Sequence, residues 1–112
     1  MKTLFVFAHP DPRSLNAALR DVAVGELRSR GHEVLVSDLY AQGWKPQIDR
    51  ADFPSLPPDR RLKVPAASGE AFAAGALTPD VEAEQERLLW ADALILQFPL
   101  WWFTMPAILK GW

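Results

Sequence analysis

No cysteine occurs in this chain, which removes disulfides, thiolate metal sites and thiol nucleophiles at once. Tyrosine appears once, as Tyr40, and histidine twice, as His9 and His32. Far apart in the expected topology and with no acidic cluster nearby, the two histidines suggest no metal site. The glycines form neither a GxGxxG nor a P-loop pattern. No segment approaches the roughly 20 apolar residues of a membrane span. The apolar run after Lys2 is too short for a secretion signal. Cytoplasmic location is therefore the expectation. The net charge of −2 supplies no basic excess for nucleic acid or an anionic membrane.

What is present suits one small globular domain. The chain has 112 residues, 49% hydrophobic and 23% charged, enough for a core and ordinary at the surface. Thr3 to Ala8 (TLFVFA) is a continuous run rich in β-formers, the pattern of a strand buried on both faces. From Ser14 to Arg30 the apolar residues Leu15, Ala18, Leu19, Val22, Ala23 and Leu27 recur at helical spacing. Ser14 suits the N-cap, and Gly31 suits the stop. His32 to Ser37 (HEVLVS) is a second strand-like run. Strand, helix and strand at this spacing predict a right-handed βαβ unit with parallel strands.

Residues 44–79 then change character. Six of the ten prolines lie here (Pro46, Pro54, Pro57, Pro58, Pro65, Pro79), and no periodicity is sustained. A long surface excursion is expected, with a helical turn or two near 68–74. Thr78-Pro79-Asp80 marks a helix start, with hydroxyl cap, proline at N1 and acid in the first turn. That helix leads into Asp92 to Phe98 (DALILQF), a third buried-type strand, and Pro106 opens a last helix. The reading is an α/β open parallel sheet with helices on both faces and strand order 2-1-3, in one domain spanning 1–112. Sheets of this kind carry about five strands, so the fourth and fifth are missing.

In an open α/β sheet, ligands bind beyond the carboxyl ends of the strands, where the winding reverses. If the order is flavodoxin-like, that point lies between the first and third strands. Two segments leave there: His9-Pro10-Asp11-Pro12-Arg13-Ser14-Leu15-Asn16 and Pro99-Leu100-Trp101-Trp102-Phe103. The first can cradle a phosphate with the N–H groups of a helix start, aided by Arg13 and the Ser14 hydroxyl. It can equally be a capped helix entry with a strand-end histidine and a solvated arginine. In the second, Pro99 turns the chain off the strand, and three rings supply flat apolar area suited to an aromatic heterocycle. Core packing or a subunit interface would also use such rings. A ring system with a phosphate tail would need both segments together.

The segments AHPDPRSLNAAL, EVLVSDLYA, LTPDVEAEQERLLWADALILQFPLWWF and MPAILKGW carry a family likeness over nearly the whole chain. The sequence resembles the flavodoxin-like NAD(P)H:quinone oxidoreductases. The resemblance implies His9, Ser14, Leu15 and Asn16 around the flavin phosphates, and Pro99, Leu100, Trp101, Trp102 and Phe103 against the isoalloxazine. It implies FAD, with FMN as the alternative, and NAD(P)H as electron donor. It also implies a ping-pong route in which the nicotinamide reduces the flavin by hydride transfer and a quinone then takes both electrons. Full-length relatives are commonly homodimers. Thr104 stands where the family commonly has a glycine, which predicts less freedom for positive φ there. Tyr40 does not match the family's tyrosine, so no catalytic residue is assigned.

Relatives of this kind continue past Trp112, so the chain is expected to be a truncated form, marginal in isolation, with DALILQF as an unprotected edge. Two further roles follow from the same reading. One is an ancillary subunit docking on a membrane transport system, and the other is an inactive fragment.

Overall fold

A computed structural model describes all residues from Met1 to Trp112. Strand β1 (Lys2–Phe7) lies at the centre of a parallel sheet, between β2 (Glu33–Asp38) and β3 (Ala93–Gln97). The order β2-β1-β3 is the one expected. Phe5 is level with Val36 on one side and with Ile95 on the other. The strand has no alternation because both of its faces are covered. Its odd side chains Phe5 and Phe7 pack with Val34 and Ile95 against helix α1 (Leu15–Ser29). Its even side chains Leu4 and Val6 pack with Leu39 and with Leu109 of helix α4 (Ala107–Gly111).

Helix α1 starts and stops where its caps predict. The Ser14 hydroxyl accepts the Ala17 N–H at 3.1 Å, and Gly31 takes the left-handed conformation that lets the chain leave. Its orientation differs from the expected one. Leu15, Ala18, Leu19 and Val22 face solvent, whereas Ala17 and Val24 are buried with Ala23 and Leu27 beside them. The cause is Arg20, which shares the sheet-facing side. Its guanidinium lies 4.4 Å from the Phe7 ring centroid and pairs with Asp38 at 2.8 Å, so a charged residue occupies an inward position.

The excursion is more ordered than its prolines suggest. It contains a 3-10 turn at Arg50–Asp52, closed by a reciprocal cap with Asp49, and helix α2 (Val64–Ala73), which begins earlier than the turn expected near 68–74. The Arg50 guanidinium donates to the carbonyls of Pro57 and Arg60, and Arg60 pairs with Glu70 of α2. Those side chains hold segments that lack a hydrogen-bonded ladder. Helix α3 (Pro79–Trp90) starts at the expected proline, yet the Thr78 hydroxyl makes no capping bond. Pro106 is the N-cap of α4 rather than its first residue. Strand β3 pairs only with β1, which makes it the expected edge. Leu94 and Leu96 on it are nearly half exposed.

The orientation of α1 gives a direct test. Ala17→Leu forces added volume between α1 and Phe5/Phe7 and is expected to destabilise by about 1–3 kcal/mol. Leu19→Ala, on the solvent side, should stay within about 0.5 kcal/mol. Urea unfolding of the two variants would reverse this ranking if the sequence-derived stripe faced the sheet.

Candidate functional site

The two predicted segments meet. Ala8 donates its N–H to the Gln97 carbonyl at 3.0 Å, so β1 and β3 end level with each other and His9 and Phe98 leave side by side. The Gln97 side-chain amide donates to the Asn16 carbonyl at 2.9 Å, joining the end of β3 to the start of α1. The His9 and Trp101 rings lie edge to face at 5.8 Å. His9, Ser14, Leu15, Asn16, Pro99, Leu100, Trp101, Trp102 and Phe103 thus all border one rim.

The first loop is held by its own side chains. The Asp11 N–H donates to His9 Nδ1 at 3.0 Å, which leaves the ring proton on Nε2. Asp11 Oδ1 accepts the Arg13 N–H at 2.8 Å, and the Asp11 carbonyl accepts the Ser14 N–H at 3.1 Å. The Arg13 backbone N–H, followed by its guanidinium, holds the Asp11 carboxyl below the usual carboxylate range. Arg13 and Ser14 therefore spend their N–H groups inside the loop. At the helix start the unpaired donors are the N–H groups of Leu15 and Asn16, at the positive end of α1.

The second loop is a tight turn. Thr104 N–H donates to the Trp101 carbonyl at 3.0 Å, and both central residues have positive φ: Trp102 at 50° and Phe103 at 63°. The left-handed positions therefore fall on two aromatic residues and not on Thr104, whose side chain was expected to carry that restriction. Each costs on the order of 1 kcal/mol relative to an unstrained conformation. The rings of Trp102 and Phe103 are 93% and 94% exposed, and Leu100 is exposed beside them. None of the three is core. Along this turn the N–H groups of Leu100, Trp102 and Phe103 have no partner in the chain. The rim therefore presents two free donors at a helix start, three more on a strained turn, and flat apolar rings.

The largest cavity lies elsewhere. It measures about 470 Å³ and is walled by Trp44, Ile48, Phe53, Phe72, Leu77 and Val81 among others, between the excursion and α3. Its charged residues Lys45 and Asp52 bond each other at 2.8 Å, and that bond, with Asp49 beside it, raises the Lys45 pKa. Trp44 Nε1 and Thr78 Oγ1 in its wall are closed off from partner and solvent alike. The rim brings free backbone donors at a helix start together with exposed aromatic rings beyond the strand ends, where sheets of this kind bind ligands, so the chemistry points to the rim. His9 and His32 lie at opposite ends of the sheet, and no three metal-ligating side chains come together.

One functional-looking group escaped the sequence reading. Glu84 is buried and accepts four bonds: from Ser37 Oγ at 2.8 Å, Gln42 Nε2 at 3.0 Å, Arg87 Nη1 at 2.9 Å and Trp112 Nε1 at 2.8 Å. A signal was available: Glu84 lies at helical spacing between Val81 and Leu88, on the same face of α3.

A parallel β2-β1-β3 sheet with helices on both faces is the arrangement of doubly wound α/β proteins. Residues 1–112 match the family described as flavodoxin-like fold, and the chain belongs to that family. A ribosyldihydronicotinamide dehydrogenase-like protein, traD, of Penicillium crustosum is 61% identical over 112 residues, covering 100% of this chain and 42% of that protein. The rat NAD(P)H dehydrogenase [quinone] 1 is 46% identical, over 99% of this chain and 41% of its own. A solved structure of a candidate quinone reductase from Klebsiella pneumoniae superposes with a TM-score of 0.93 at 55% identity, over 100% of this chain and 43% of that one. The chain thus has strong homology to NAD(P)H:quinone oxidoreductases and spans less than half the length of these relatives.

Two measurements check the rim. Phe103→Gly relieves the strain at that position and loses no packing, while glycine's freedom in the unfolded chain offsets part of the gain, so the chain should be stabilised by up to about 1 kcal/mol; a loss of more than about 1 kcal/mol would mean that the ring is held by contacts. The depressed Asp11 pKa means that its bonds to Arg13 are complete above the unfolded value of about 3.9 and are lost as pH falls through the lower folded value. The Arg13 amide resonance should therefore titrate with a midpoint below about 3.9, and Asp11→Asn should abolish the transition.

Proposed function

We propose that this rim holds a flavin, FAD by preference and FMN as the alternative, in an NAD(P)H:quinone oxidoreductase of the ping-pong type. The observation that carries the reading is the set of unpaired N–H groups bordering one rim. Leu15 and Asn16 at the start of α1 suit the phosphates, because the helix end concentrates positive potential there. The N–H groups of Leu100, Trp102 and Phe103 suit carbonyl oxygens at the edge of an isoalloxazine, with Trp101 and His9 bordering the same space. A bound flavin supplies two-electron hydride chemistry between a nicotinamide and a quinone. The protein's own share is to present donors already aimed and to keep the rings rigid. A turn already closed by the bond from Thr104 to Trp101 does this with little reorganisation on binding.

The exposed Trp102 and Phe103 rings also support a homodimer in which a second copy covers them. No helix of the chain is long and apolar enough to cross a membrane, which accords with a cytoplasmic enzyme reducing a small quinone.

Leu15→Pro supplies the test. Proline is favoured at the first position of a helix, and Ser14 before it is already extended, so the fold should be unaffected. The change deletes one donor of the phosphate cradle. Flavin titration by fluorescence should show binding to the unmodified chain and roughly tenfold weaker binding to the variant. Equal binding by both would contradict the cradle. Capture of a membrane-transport component without any flavin would favour an ancillary subunit, and neither activity would mark an inactive fragment.

A further inference from the structure

The turn that carries Trp102 and Phe103 has almost no support of its own, and its two flanks show where support comes from. Phe98 before it and Met105 after it both pack on the core cluster formed by Leu4, Val6, Ala8, Leu39 and Leu109. Trp112 packs on the same cluster from the far end of α4. Helix α4 has only five residues, too short to be stable without tertiary contacts. Two features seat it. A Cβ at Gly111 would run into the Pro46 backbone, so the absence of a side chain there permits a close approach of α4 to that segment. The Trp112 indole N–H donates at 2.8 Å to Glu84 Oε2.

Glu84 is suited to be a fixed point. Each of its oxygens accepts two bonds, Oε2 from Ser37 and Trp112 and Oε1 from Gln42 and Arg87. Arg87 also donates to Ser37 Oγ at 3.0 Å, so the donors hold one another as well as the carboxylate. A buried carboxylate with its acceptor sites filled by a guanidinium, an amide, a hydroxyl and an indole has one favoured position. Ser37 lies in β2, and Glu84 and Arg87 lie in α3. The network therefore anchors α4 to elements already locked into the sheet.

We propose that Glu84 is a positioning residue for the flavin loop. Through the Trp112 indole it seats α4, and through the cluster shared by Leu109, Phe98 and Met105 it fixes both ends of the turn at 99–104. It touches neither rim nor ligand. The functional consequence rests on the flavin reading above; the mechanical one does not.

Trp112→Phe tests it, because an aromatic ring remains in the cluster while the bond to Glu84 is lost. Two readouts need no flavin. The Thr104 amide, which closes the turn, should exchange about tenfold faster. The His9 ring-proton resonances, displaced by the neighbouring Trp101 ring, should move toward free-histidine values. Amides of β1 should be unchanged. Glu84→Gln should act in the same direction and more strongly, and Ser37→Ala should act more weakly than Trp112→Phe because Trp112 keeps its acceptor. Unchanged Thr104 and His9 signals in Trp112→Phe would overturn the proposal. So would an equal acceleration of every amide, which would mean a general loss of stability. In a parallel flavin titration, affinity should fall roughly tenfold in Trp112→Phe. If the unmodified chain binds no flavin, the flavin reading fails while the exchange data still decide the role of Glu84.

Discussion

Parallel pairing of β1 with β3 is the interaction on which everything at the rim depends. Because the strands run in the same direction and end level, with Ala8 bonded to Gln97, the loops that follow them emerge at the same height. An antiparallel partner of five residues would place its following loop about 16 Å away, at the other end of the sheet. The pairing in turn depends on the burial of β1 on both faces, which its unbroken run of Leu4, Phe5, Val6 and Phe7 makes favourable. The side-chain bond from Gln97 to Asn16 and the contact of His9 with Trp101 then refine a proximity that the backbone has already imposed.

Backbone-level features were legible in the amino-acid order because they follow local rules. Ser14 and Gly31 bracket α1, Pro79 opens α3, and the apolar runs become strands in the expected order. Two features, the facing of α1 and the burial of Glu84, were hidden by the burial of charge. Arg20 faces the sheet because its guanidinium can lie on Phe7 and pair with Asp38, and hydrophobic counting assigns an arginine to solvent. Glu84 is buried because donors from three other parts of the chain converge on it, a long-range arrangement that no local window contains. Helix α2 is masked in the sequence by the surrounding prolines, although Pro65 sits in its first turn, where proline is well tolerated. The positive φ angles fell one and two residues before Thr104, since the closing bond from Thr104 to Trp101 decides which residues are central.

Strain and unpaired donors coincide at the turn. Trp102 and Phe103 pay a conformational cost in a place where their rings make no core contact, and the N–H groups they carry are unbonded. Neither feature improves the stability of the isolated chain. Both are understandable if the conformation is selected for what it presents, because a loop already in its binding geometry loses little entropy on meeting a ligand. The apolar cavity beside the excursion lacks this combination.

The claim that both loops grip one ligand is tested most directly by following backbone amide resonances during titration with FAD. The account predicts that the Leu15 and Asn16 amides and the Leu100, Trp102 and Phe103 amides shift together, along curves described by one dissociation constant. Shifts confined to one of the two loops, or appearing instead around Trp44, Phe53 and Val81, would contradict it.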